Sequence, residues 1–395
     1  MAETCANANI LEAEGFSRIE GAASTMITRI TETVIYLASC AVNEVKPESD
    51  KIAGIDFEKI FSFASYHVMG AVVAMALESA GVKNNHVKNA ISFSVRKNTF
   101  FEAANNSVLR KLEEAGIWYM PLKGAVLKKY YPRFGMREMS DQDILFDATR
   151  AEDVKRIMES LSFTAKYFGT GNHDVYYKEP LCNFEMHRGL FGISYDEKFY
   201  EYYADVKSRL IKDDGNNYGY HFSPEDFYVY MTAHAYKHYS AGGTGLRSLL
   251  DIYVFLKKCE GLLDFDYVLR EAEKLGLSEF EEKKRCLALN LFGNNEMTGD
   301  NREMLEYMVR SGAYGNIENS VRNRLKKYGG GGRGKIRYVL SKVFPPVNSM
   351  KSTYPKLRGH EIYYPALIIF RLLKAITLNW RKVLRELLIL WKLKV

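Results

Sequence analysis

An α+β fold is the class the sequence predicts, a small mixed β-sheet flanked by N- and C-terminal helical regions. Three observations carry it. Strand signals are confined to the stretch between Gly116 and Arg188. Helical spacing of apolar residues dominates before about residue 95 and resumes at Ser223. Between them strands and helices mix without a regular βαβ rhythm, which predicts a mixed sheet with helices laid against it. A chain of 395 residues is long enough for more than one core-forming unit. The expected division is a helical region over 1–95, a core over 96–215, a second helical region over 216–320 and a basic helical region over 321–395.

The elements follow in order. Ala22 to Asn43 has few helix breakers, and Pro47 to Asp50 marks a loop. Asp56 is placed to cap a helix carrying Phe61, Ala64, Val68 and Val72 at helical spacing, with His67 read as a structural histidine. Asn98 to Ala115 reads as a helix closed by Gly116. Ile117 to Leu122 is a short buried strand, Lys123-Gly124 a turn, and Ala125 to Tyr131 a helix stopped before Pro132. Strands are expected at Asp143 to Asp147, Phe163 to Phe168, Asp174 to Lys178 and Asn183 to Arg188, and a helix at Ala151 to Leu161. Ser223 as N-cap and Pro224 in the first turn open the next helix. Four consecutive glycines between Gly329 and Arg333 predict a loop, Pro345-Pro346 and Tyr354-Pro355 an extended stretch, and Leu367 to Leu393 a helix.

Chemistry concentrates in the centre. Residues i and i+2 of a strand share a face, so Asp141 and Asp143 can present paired carboxylates, and Glu185 and His187 a second pair. Converging carboxylates are costly without a cation between them, and hard oxygen ligands suit Mg²⁺. A strand, a glycine turn and a helix start offer backbone N–H groups to phosphate, to which Lys123 adds a charge. His234 and His238 lie one turn apart on a helix but lack the Glu of a zinc-protease motif. Arg247 and Asp251 are also spaced i, i+4, and read most simply as an intrahelical ion pair.

Leu122-Lys123-Gly124, Arg137, Ser140-Asp141-Gln142-Asp143 and Glu185-Met186-His187 together resemble the DNA polymerase β-like nucleotidyltransferase superfamily, and more narrowly its uncharacterised bacterial nucleotidyltransferases. Lys123-Gly124 stands where the superfamily usually has Gly-Ser. The resemblance extends to His234, His238, Arg247, Asp251 and Phe344-Pro345-Pro346. It implies that residues 96–215 are a nucleotidyltransferase core and that 216–320 pack over its active site. Asp141, Asp143 and Glu185 would be the catalytic, metal-holding acids, with Mg²⁺ or Mn²⁺ as cofactor. Lys123, Gly124, Arg137 and Ser140 would meet the nucleotide. His187, His234, His238, Arg247 and Asp251 would line the pocket or support it. A nucleoside monophosphate would pass from an NTP to an acceptor hydroxyl on a small molecule, protein or RNA.

The charge balance keeps two other readings open: an inactive nucleotide-binding module, and a protein working through a basic C-terminus. Residues 321–395 hold 18 Lys and Arg against Glu361 and Glu386, while the rest of the chain has 37 against 46 acids. That excess invites RNA or an anionic membrane, and Tyr328, Tyr338, Tyr354 and Trp380 lie near the cations. The expected arrangement is instead a basic amphipathic helix docked on the acidic remainder of the chain. Five scattered cysteines without metal spacing, no basic-then-apolar leader pattern and no spanning apolar run predict a cytoplasmic protein with reduced thiols.

Overall fold

The computed structural model describes residues 22–180, 182–193, 195–293, 301–347, 350–351, 354, 357 and 359–393. Cys5, and Pro355 of the Tyr354-Pro355 pair, lie outside them.

The chain enters through helix α1 (Ala22–Val42) and then α2 (Phe57–Tyr66), whose first turn is held by Asp56 accepting the Lys59 N–H at 3.2 Å. Helix α2 does not continue through Val68 and Val72 as expected. The backbone turns at Val68, φ 54°, and α3 (Gly70–Ser79) begins anew. Fully buried His67 sits at the break, its Nδ1 accepting the Leu246 N–H at 3.2 Å, so a tertiary contact overrides local helix preference. Helix α4 (Asn85–Glu114) starts well before Asn98 because the Asn84 side chain caps it, and it runs across the expected boundary at 95–96. Its end is as the sequence suggests. Gly116 takes φ 65°, and the Gly116 and Ile117 N–H groups return to the Glu113 and Leu112 carbonyls at 3.1 and 3.0 Å.

Next come β1 (Tyr119–Pro121), α5 (Lys123–Leu127), β2 (Gln142–Phe146), α6 (Ala151–Ser160), β3 (Thr164–Tyr167), β4 (His173–Lys178) and β5 (Cys182–His187). They build a five-stranded sheet in the order β1-β2-β5-β4-β3, with β2 and β5 parallel and the other pairs antiparallel. Alternation splits the sheet into two faces. Ile144, Phe146, Phe184 and Met186 pack on Phe101, Val108 and Leu112 of α4 and Val154 and Met158 of α6. Asp143, Glu185 and His187 therefore point to the other face, in the register Asp143↔Glu185 and Leu145↔His187.

That second face is covered by later helices. After α7 (Glu197–Tyr202) and the short pair β6 (Ile211–Lys212) and β7 (Tyr220–His221) come α8 (Pro224–Ala241), α9 (Arg247–Lys258), α10 (Phe265–Leu275), α11 (Ser278–Phe292), α12 (Arg302–Ser311) and α13 (Ile317–Lys327). Ser223 caps α8, its Oγ accepting the Asp226 N–H at 3.1 Å. One apolar core joins Val34 and Leu37 of α1, Phe63 of α2, Leu145 of the sheet, Tyr230 of α8, Phe255 of α9 and Leu287 of α11. The architecture is thus α+β, as expected.

Lys284 of α11 is buried in this core, and burial pulls its ammonium down to about 7. A lysine whose folded pKa lies below its unfolded value costs stability fully below pH 7, and the cost fades as pH rises toward about 10.5. Lys284→Met is therefore expected to gain roughly 2–4 kcal/mol at pH 7. The gain should shrink steadily in melts run toward pH 10, and a pH-independent difference would reject this cause.

The C-terminal segment departs from expectation three times. After Pro346, where an extended stretch is expected, Val347, Met350 and Lys351 are helical, the Met350 and Tyr354 N–H groups returning to the Pro346 and Met350 carbonyls at 3.1 and 2.8 Å. The glycine run begins helix α14 (Gly331–Val343), with only Gly329 to Gly331 turning at positive φ. Glycine is what lets it approach: a Cβ on Gly334 would meet Leu325 Cδ1 at 3.3 Å and the Tyr328 carbonyl at 3.4 Å. Close packing on α13 outweighs the poor helix propensity. The expected helix over Leu367 to Leu393 is two, α15 (Tyr364–Thr377) and α16 (Trp380–Lys392), parted at Leu378-Asn379. Leu390 and Leu393 pack with Val321, Leu325 and Tyr338, so α16 docks through one side only.

Candidate functional site

The register of β2 and β5 sets the site. Asp143 and Glu185 are paired residues on the parallel ladder, and His187 follows two residues later on the same face. One side-chain ligand atom from each lies within 4.8 Å of the others. His187 Nε2 is 2.9 Å from Asp143 Oδ1 and 3.7 Å from Glu185 Oε2. Lys123 reaches the same Asp143 Oδ1 at 2.9 Å. Lys123 adopts φ 38°, a left-handed conformation that a lysine takes only under constraint. The constraint is the tight passage from β1 into α5, where a Cβ on Gly124 would lie 2.7 Å from Arg137 Nη1 and from Met139 Cε. A side chain at 124 would thus have to displace the ends of Arg137 and Met139, so Gly124 lets this turn lie close against the 137–139 segment.

Charge is distributed unevenly. Burial alone would raise Asp143, but the Lys123 ammonium and the His187 hydrogen bond hold its carboxyl well below the usual range. Burial, then the charges of Asp143 and Asp141, push Glu185 up to about 7. Burial and the Asp143 charge raise Asp141 as well. Asp141 lies one residue before β2, half-buried, and does not join the close group of Asp143, Glu185 and His187.

Two raised carboxyls beside a charged one signal negative charge that one lysine leaves unneutralised, which is the condition a divalent cation relieves. The carboxylate oxygens of Asp143 and Glu185, with Asp141 adjoining, could hold a metal ion. His187 fits a different duty. The ionised Asp143 can only accept, so His187 Nε2 carries the proton and donates to it. A histidine ligand normally donates its other N–H to a fixed partner. His187 Nδ1 is buried with no hydrogen-bond partner among the described residues, and the ring is suited to orient Asp143.

Helix α8 lines the opposite wall with Tyr230, His234, Lys237 and His238, at helical spacing, and the Lys123 charge acts on all four. His234 and His238 face each other, Nε2 to Nε2, at 3.1 Å. Burial, and then the Lys123 charge, keep His234 neutral.

The remaining predicted residues are placed one shell away. Arg137 is buried, and its Nε and Nη2 donate to Asp251 Oδ1 and Oδ2 at 2.8 and 3.0 Å. Tyr131 donates to the same Oδ1 at 2.8 Å. Asp251 therefore does not pair with Arg247, contrary to the intrahelical reading; α9 turns its carboxylate inward to a bidentate partner. Arg247 donates instead to the Glu138 carbonyl at 3.2 Å, and Glu138 accepts the Ala71 N–H at 2.7 Å. Ser140 Oγ is 2.8 Å from the Tyr314 hydroxyl. The 137–141 segment is thus pinned from α3, α9 and the loop after α12.

Sequence reasoning missed His173, Tyr230 and Lys237. His173 pairs with His187 across β4 and β5, and its Nε2 lies 3.7 Å from Glu185 Oε2. Only a strand register could have brought it in. Tyr230 and Lys237 had a usable signal, since they continue the stripe of His234 and His238 at i−4 and i+3.

Residues 53–293 match a family model described as an uncharacterised nucleotidyltransferase, a span containing every residue of this site except Tyr314. Among solved structures the chain is similar to an antigenic nucleotidyltransferase-like protein from Paracoccidioides brasiliensis, at 16% identity over 47% of this chain and 92% of that one, with a TM-score of 0.28. No curated protein matches the chain. Among the described residues no helix is long and apolar enough to cross a membrane.

Proposed function

We propose that this chain, which belongs to the family of uncharacterised nucleotidyltransferases, transfers a nucleoside monophosphate from an NTP to an acceptor hydroxyl and releases pyrophosphate. The observation that carries the reading is the cluster of Asp143, Glu185 and His187 under Lys123, inside the matched span. Asp143 and Glu185, with Asp141 beside them, would hold a divalent cation, which when bound neutralises phosphate charge and polarises the reacting phosphoryl group.

The protein's own residues divide the remaining work. Asp143 is nearly inaccessible and is fixed by Lys123 and His187, so its duty is to hold position. Glu185 is the more open of the two carboxylates, 24% exposed, and is the one an acceptor can approach. It takes the proton as the acceptor oxygen forms its bond to the α-phosphorus and the bond to the bridging oxygen breaks. Lys123 exchanges Asp143 for the triphosphate, a move of one flexible side chain. Arg137 is a positioning residue, held by Asp251 behind Gly124 and Met139.

The test is to incubate the protein with each α-labelled NTP, Mg²⁺ or Mn²⁺, and a cell extract, and to follow label into an acceptor. Label that appears only with protein and metal supports transfer; its absence with all four NTPs and both ions removes it. Lys123→Ala is expected to weaken NTP binding about 10–100-fold while leaving nucleoside binding nearly unchanged. Equal losses for both ligands, read by isothermal titration, would assign Lys123 to packing.

A further inference from the structure

We infer that helices α14 to α16 form a docking surface for anionic phospholipid bilayers. The surface begins with spacing. On α16 the exposed apolar residues are Trp380, Val383, Leu384, Leu387, Leu388 and Trp391, recurring at the i, i+3, i+4, i+7 interval of one helix face. The opposite face, with Leu390, is the one packed on α13 and α14. Helix α15 repeats the pattern with exposed Ile369, Leu372, Leu373 and Ile376, followed by Leu378. Helix α14 adds Ile336 and Leu340, and Phe344 follows at its C-terminal end. Ile376, Leu378 and Trp391 are 69%, 74% and 79% exposed, so the described residues leave these stripes uncovered. Packing on α13 and α14, not on the acidic remainder that the sequence suggests, accounts for one side of α16, and the described residues leave the other open.

Charge selects the occupant. Residues 321–395 carry 18 cations against Glu361 and Glu386. Glu361 pairs with Lys351 at 2.6 Å, and Glu386 pairs with Lys342 at 2.7 Å and accepts the Tyr338 hydroxyl. Exposed Arg381, Lys382, Arg385 and Lys392 border the α16 stripe, and Lys374 lies beside that of α15. A second copy of the same face would bring cations against cations. RNA would meet the cations but leave the mainly aliphatic stripes in water; of the aromatic residues near the cations Tyr338 is buried, while Trp380 is exposed within an otherwise aliphatic stripe. Cations flanking Leu, Ile and Trp on a helix face match an anionic lipid surface, where acyl chains take the apolar side chains and headgroups the basic ones. Neither helix is long enough to span, so the segment lies in the interface plane.

The experiment sediments the full chain with vesicles of phosphatidylcholine alone and of phosphatidylcholine with phosphatidylglycerol. Pelleting is expected with the anionic vesicles, reduced by salt, with a blue shift of tryptophan emission. Leu384→Glu/Leu388→Glu should weaken it about tenfold or more without changing the melting temperature, because both residues are exposed. Leu373→Glu/Ile376→Glu on α15 is an independent second variant. Failure of the wild type to pellet with anionic vesicles overturns the proposal. So does unchanged pelleting of both folded variants. Concentration-dependent dimerisation or tRNA binding, lost in these variants in place of vesicle binding, would assign the surface to a second copy or to RNA instead. None of these readouts depends on nucleotidyl transfer.

Discussion

Asp143→Asn is expected to lower nucleotidyl transfer about a thousandfold or more, because it removes the carboxylate at the centre of the cluster, held by both Lys123 and His187. Lys123 Nζ and His187 Nε2 both lie 2.9 Å from Asp143 Oδ1, and Glu185 stands beside it on the parallel ladder. The same contacts decide the effect on stability. From sequence, neutralising either acid of the Asp141-Gln142-Asp143 run relieves repulsion and leaves the metal-free protein as stable or slightly more so. The structure separates the two. Asp143 is held below the usual carboxylate range despite its burial, chiefly by Lys123 and His187. Its stabilising contribution is therefore present above the unfolded pKa and lost as pH falls through the lower folded one. Asn at 143 leaves Lys123 without its anion, a cost of about 1–3 kcal/mol. Asp141 is raised by burial and by Asp143, so its charge costs stability at neutral pH, and Asp141→Asn is expected to be neutral or stabilising. Urea denaturation of both variants without metal separates these outcomes, and the label-transfer assay reads the activity. Wild-type transfer by Asp143→Asn would remove the site assignment.

The parts of this molecule that were legible in the sequence are those set by local rules. Asp56, Ser223 and Gly116 cap their helices as side-chain chemistry and glycine's freedom at positive φ dictate. Alternation puts Glu185 and His187 on one face of their strand, while the pairing of β2 with β5 is what brings Asp143, and not Asp141, into register with them. What the sequence concealed was decided by partners distant along the chain. The break at Val68 depends on Leu246 meeting His67. The glycine run opens α14, and of its glycines Gly334 lies close against Leu325 and Tyr328. His173 joins the site through strand pairing alone. The open apolar stripes of α15 and α16 were visible as amphipathic spacing, but spacing cannot say which surface receives them.

Asp251→Ala is expected to destabilise the protein by about 3–5 kcal/mol, since it strands a buried guanidinium. Arg137 is 7% exposed and gives two of its nitrogens to Asp251, whose Oδ1 also accepts from Tyr131. Burial would raise the Asp251 carboxyl, yet Arg137 holds it below its ordinary value, so the pair supports folding above the unfolded carboxylate pKa and fails as pH falls toward the lower folded one. Removing both charges is a different matter, because a buried ion pair also carries the desolvation of two ions. Arg137→Met with Asp251→Leu is expected to recover a large part of the loss, so a double-mutant cycle in urea should show strong coupling. Activity should not recover with stability. Arg137 carries the wall against which Gly124 packs, and the 137–141 segment leads directly into Asp141 and Asp143. The double variant is therefore predicted to fold, to bind NTP more weakly, and to transfer poorly. An Asp251→Ala protein within about 1 kcal/mol of wild type would show that the pair is better solvated than its burial implies.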